Sequence, residues 1–225
     1  LYGQWVATSV VEEKSSRVME VILNAATPFQ LLAGKVTGVA AVALTQYLAL
    51  LAAGLGALAA QGPVARLVLG SGSASLGLPE GLTPALLGLL VTYGVLGFLL
   101  YAGLFAAAGS LVSRQEEVNQ VVTPLTLMAT AGYMIGAYAA TGLLDIRSGW
   151  ITALSQVPFL SPFIMLSRVT GGETTPWEVP LSVALLAAAT VACLWLAARI
   201  YAVGVLLYGQ RPGLRTIWRL LREGM

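Results

Sequence analysis

The chain has no histidine, a single cysteine, and charged side chains at only 10% of its 225 positions. Without histidine it lacks the commonest metal ligand and the usual general base at neutral pH. One cysteine, Cys193, sits in an apolar run and supports neither a disulfide framework nor a thiolate metal site. Twelve basic against ten acidic residues leave a net charge of only +2, which gives nucleic-acid binding no electrostatic support. Soluble domains carry about a quarter charged residues, so this chain is too poor in charge to cover a water-facing surface. What it has instead is hydrophobicity: 57% of its residues are apolar and its mean hydropathy is +0.83. A polytopic helical membrane protein, all-α, is the class that fits.

Four charge-free stretches are long enough to cross a bilayer: 36–65, 81–113, 118–144 and 179–198. Lipid offers the backbone no hydrogen bonds, so each is expected to be a helix. A fifth charge-free stretch, 148–167, carries Pro158 and Pro162 and is expected to form a broken re-entrant hairpin. Leu1 to Val10 is too short for the roughly 20 residues of a span and reads as the end of a preceding helix. The sequence is therefore expected to be the C-terminal part of a longer subunit, forming one transmembrane domain. With four full spans, nine basic residues share one side: Lys14, Arg17, Lys35, Arg114, Arg199 and four arginines of the tail. Only Arg66, Arg147 and Arg168 fall on the other. The excess marks the first side as cytoplasmic and the hairpin as external.

Val11 to Lys35 (VEEKSSRVMEVILNAATPFQLLAGK) holds six of the charged residues and lies on that cytoplasmic side. Glu13 and Arg17 stand four apart and Arg17 and Glu20 three apart, a helical pairing. Thr27, Pro28 and Gln30 have the spacing of a capping box that starts a second helix. The segment is either a solvated loop or a docking surface for a soluble partner. The tail, 208–225, repeats apolar residues at helical spacing. Arg211, Arg215, Trp218, Arg219 and Arg222 make it an expected amphipathic anchor on anionic headgroups. Within the spans, Gln46 is the one amide well inside; it and Asn119 are the candidates to line a path. No carboxylate or amine lies deep in the four spans, which argues against a proton-relay transporter. Pairs at GxxxG spacing, Gly34/Gly38 and Gly132/Gly136, and the alanine pair Ala102/Ala106 are expected to pack helices inside the bundle.

The run EEKSSRVMEVILNAATPFQLLAGKVTG resembles the signature segment of type 2 ABC-exporter permeases, in particular the sodium-efflux-type group. Weaker likenesses follow at SRQEEVNQ, at FLSPF and across 199–222. The resemblance implies the membrane-spanning subunit of an ATP-driven exporter in the prokaryotic plasma membrane, moving a solute outward by alternating access. It implies an ABC ATPase partner that itself binds ATP and Mg, no cofactor in this chain, and a second permease subunit. It places Glu12, Glu13, Lys14, Arg17 and Glu20 on a cytoplasmic coupling helix that docks the ATPase, and a first helix and external domain before Leu1. Sodium ion, a hydrophobic drug or peptide, and a lipid remain as cargo. The alternative is a membrane scaffold that recruits an ATPase and transports nothing.

Overall fold

The computed structural model describes residues 2–15, 27–69 and 83–206, and these contain seven helices and no strand. They are α1 (Tyr2–Ser15), α2 (Pro28–Leu69), α3 (Pro84–Ser110), α4 (Gln115–Ala140), α5 (Gly149–Gln156), α6 (Ser161–Thr170) and α7 (Glu178–Leu206). Four of them are long and apolar enough to cross a membrane: α2 over Phe29–Gly62, α3, α4, and α7 over Glu178–Tyr201. The chain is thus an all-helical bundle of the polytopic membrane kind. Arg17, Glu20 and the whole tail from Arg211 to Arg222 lie outside the described residues.

Helix α3 is the centre, packed against α7, α1, α4, α6 and α2. Its sequence explains this, because small and large residues alternate along it. Gly97, Ala102, Gly103, Ala106, Ala107 and Gly109 let neighbours approach, while Tyr93, Leu100 and Phe105 fill the spaces between. At Gly109 a methyl group would lie 2.8 Å from the Ala7 Cα, so α1 and α3 touch backbone to backbone. Close approach of this kind holds helices together in lipid, where apolar burial gives no driving force. Thr83 caps α3, its Oγ1 accepting from the Leu86 N–H at 3.1 Å, with Pro84 at the first helical position. Helix α2 starts as its spelling predicts: the Thr27 N–H donates to Gln30 Oε1 at 2.9 Å, and the Gln30 N–H donates to Thr27 Oγ1 at 3.3 Å.

Three expectations change in detail. Helix α1 runs unbroken through Val10, because Val6, Ala7, Val10 and Val11 form one fully buried stripe. Glu12 and Glu13 therefore sit on its last described turns, continuous with the preceding helix. The segment 148–167 is broken as its prolines require, into α5 and the start of α6, joined by 157–160. The glycine pairs divide. Gly132 and Gly136 are buried against Phe163 of α6, and Ala102 and Ala106 face the core shared by α1, α2 and α7. Gly34 and Gly38 meet nothing, since α2 is peripheral and only 6% of its apolar stretch is buried.

Candidate docking face and transport cavity

The end of α1, the start of α2 and the connection from α3 to α4 converge on one polar face. Glu13 Oε2 and Lys35 Nζ are 2.7 Å apart, with the lysine side chain 10% exposed and the glutamate 38%. Gln115 Nε2 donates to Glu12 Oε1 at 2.7 Å, tying α1 to the first turn of α4. Arg114, Gln115 and Glu116 are exposed beside it. Acidic residues Glu116 and Glu117 complement the positive end of the α4 dipole. Beneath the face lie two apolar clusters, and α1 contributes to both. Ala7 and Val11 of α1 pack with Val112 of the connection and with Val118 and Val122 of α4. Val6 and Val10 pack with Leu32 and Val36 of α2 and Tyr201 of α7. A push on the end of α1 therefore meets four other elements: the α3–α4 connection, α4, α2 and α7. Of the residues expected to dock a partner, Glu12 and Glu13 are brought together here and Lys14 lies on the same helix. At the same end of α7, close to Tyr201, the Arg199 guanidinium stacks 4.2 Å over the exposed Trp195 ring, a cation–π pair.

A cleft of about 900 Å³ opens between α1, α2, α3, α4 and α6. Its walls are aromatic: Tyr47, Tyr93, Phe98, Tyr101, Phe105 and Phe163 all line it. A second cavity of about 510 Å³ lies between α1, α2 and α3 and shares Tyr2, Tyr47 and Phe98 with the first. Gln46 lines this second cavity, where the Tyr2 hydroxyl donates to its Oε1. Asn119 lines neither; it is exposed in the first turns of α4, its carbonyl accepting from Thr123 Oγ1. Among the described residues, no three acidic or thiol side chains converge to hold a metal ion.

The opposite end carries a buried ion pair to which sequence reasoning assigned no role. Arg168 and Glu178 are 3% and 5% exposed, with Arg168 Nη1 2.6 Å from Glu178 Oε2. The contact is charge against charge and not a well-aligned hydrogen bond, since Glu178 Oε2 has no hydrogen-bond partner among the described residues. Arg168 also donates to Ser155 Oγ at 3.0 Å and to the Glu173 carbonyl at 2.9 Å. Ser182 donates to the Ser155 carbonyl at 3.2 Å, and Gln156 to the Glu178 carbonyl at 3.3 Å. One guanidinium thus fastens α5, α6 and α7. The sequence held a signal for it: opposite charges bracket the Gly171–Gly172 turn, each flanked by an apolar run.

On the surface nearby, Arg147 Nη2 is 2.6 Å from Glu173 Oε1. The hydrogen bond from Arg147 holds the Glu173 carboxyl below its ordinary range. A carboxyl lowered in the folded state stabilises above its unfolded value, and that contribution is lost as pH falls through the folded value. Arg147→Ala is accordingly expected to melt slightly below the parent at neutral pH, with the gap closing in acid. Thermal scans across pH check this.

A family model described as ABC-2 family transporter protein matches residues 1–199. The chain is similar to YhaP of Bacillus subtilis, 34% identical over 222 residues, which are 99% of this chain and 52% of that protein. It is also similar to MJ1024 of Methanocaldococcus jannaschii, 27% identical over 216 residues, 96% of this chain and 49% of that protein. Both relatives are described as uncharacterized, and the chain spans about half their length. No solved structure matches.

Proposed function

Because the chain belongs to the ABC-2 family of transporter proteins, we propose that it is the membrane-spanning permease part of an ATP-driven exporter. In this reading a separate ABC ATPase, which binds ATP and Mg, docks on the cytoplasmic face made by α1, α2 and the α3–α4 connection. Its closure displaces the end of α1 and reopens the bundle outward in the plasma membrane, with a second permease subunit completing the transporter. Lys14, Arg17 and Glu20 extend the docking surface, and the basic tail from Arg211 to Arg222 anchors it to headgroups. The segment from Glu12 to Lys35 groups the chain with sodium-efflux-type permeases by likeness, which leaves the cargo to be read from the cavity.

The observation that carries this reading is the convergence of Glu12, Glu13, Lys35 and Gln115 over the two apolar clusters that α1 joins. The test is co-purification of the ATPase with the full permease. Glu13→Lys combined with Arg17→Glu is expected to weaken association by about tenfold or more, as loss of charge complementarity across an interface does. Glu13→Lys with Lys35→Glu restores the internal pair while keeping residue 13 reversed. Association that survives the first variant, or that returns fully in the second, would assign Glu13 to internal bracing and remove it from the docking surface.

A further inference from the structure

The 900 Å³ cleft has two properties that bear on cargo. Its size falls in the range of about 300–1,000 Å³ that encloses drug-sized molecules. No Asp, Glu, Lys or Arg is among the residues that line it. Two of its hydroxyls are already engaged. The Tyr47 hydroxyl donates to the Leu90 carbonyl at 2.9 Å, and the Tyr101 hydroxyl donates to the Phe159 carbonyl at 2.9 Å. Each of these rings is thereby pinned by its polar tip to backbone. A hard cation stripped of water needs several convergent oxygens, usually including a carboxylate, and this wall has no carboxylate. Aromatic faces and aliphatic side chains instead favour an apolar surface, with a few hydroxyls left to orient it.

We infer that this cleft is the cargo site and that it takes an uncharged, largely apolar organic molecule of drug or lipid-tail size, not a sodium ion. The inference rests on the export reading above for the word cargo; the binding chemistry stands on the cleft alone. Ala129 and Thr130 of α4 lie on its wall. Ala129 is half-buried and Thr130 exposed, so a large side chain at either position fills the cleft without entering the α3–α7 core.

The experiment uses the full permease with its ATPase in lipid nanodiscs and proteoliposomes. The probe is N-phenyl-1-naphthylamine, a neutral dye that brightens on leaving water. Saturable binding is expected, equal in sodium and in choline buffer, and weakened about tenfold by Ala129→Trp. Thr130→Trp, at the more open position, serves as the second variant, and both are checked for parent-like gel filtration. Dye binding that neither variant weakens overturns the site. ATP-driven flux of radiolabelled sodium that both variants abolish overturns the choice of cargo. Graded dye binding without ATP-driven movement of the dye supports the site and overturns the export reading instead, so the two failures are distinguishable.

Discussion

Arg168→Met is expected to lower the stability of the bundle by about 3–5 kcal/mol, the cost of leaving one member of a buried ion pair without its partner. The stranded group is Glu178, 5% exposed at the first residue of α7. Its carboxylate would face an apolar interior with the 2.6 Å guanidinium gone. Two neutral contacts disappear as well, to Ser155 Oγ and to the Glu173 carbonyl that closes the turn after α6. The double variant Arg168→Met with Glu178→Leu removes both charges and is expected to recover most of the loss, because well-packed apolar replacements of buried pairs are often neutral. Unfolding of membrane proteins is seldom reversible, so the readout is an apparent melting temperature at fixed scan rate in one detergent. A single variant that melts with the parent would mean that the pair contributes nothing. A double variant no better than the single would mean that Arg168 acts through its neutral hydrogen bonds alone. In either case the pinning of α5 and α6 to α7 needs another cause.

How far the molecule was legible depended on the range of the signal. Local spelling worked: Thr27, Pro28 and Gln30 announce a helix start and make both bonds of it. Pro158 and Pro162 announce a break and bound one. Charge-free length marks α2, α3, α4 and α7 as apolar helices because no partner is needed to interpret it. Non-local pairing was not legible. Gln46 drew notice as an amide in an apolar run, but its partner Tyr2 is forty-four residues away. Arg168 and Glu178 flank a turn, and local sequence does not say whether such charges face water; their burial beside α5 is a tertiary fact. The continuity of α1 through Val10 was hidden for a related reason. Polarity begins at Glu12, whereas the helix is held by the buried stripe of valines that ends only at Val11.

The two GxxxG pairs turn that limit into a paired prediction, since identical spacing meets opposite surroundings. A methyl group at Gly136 would lie inside contact distance of the Phe163 carbonyl oxygen and 2.9 Å from its carbonyl carbon. Backbone cannot swing aside as a side-chain tip can, so α6 as a whole must retreat from α4. Gly136→Ala is therefore expected to cost stability at or beyond the upper end of the roughly 1–3 kcal/mol of an overpacked core. Gly38→Ala meets nothing within 4 Å. It should be neutral or stabilising by up to about 1 kcal/mol, the helix propensity gained over glycine. The same apparent melting temperatures decide both. The consequence reaches the cleft, because Pro162, Phe163 and Leu166 of α6 form part of its wall. A retreating α6 widens that wall, so Gly136→Ala should weaken dye binding even in protein that remains folded, while Gly38→Ala should leave it unchanged. If Gly136→Ala melts and binds like the parent, α6 is not seated on α4 through this glycine, and the wall it contributes loses its support.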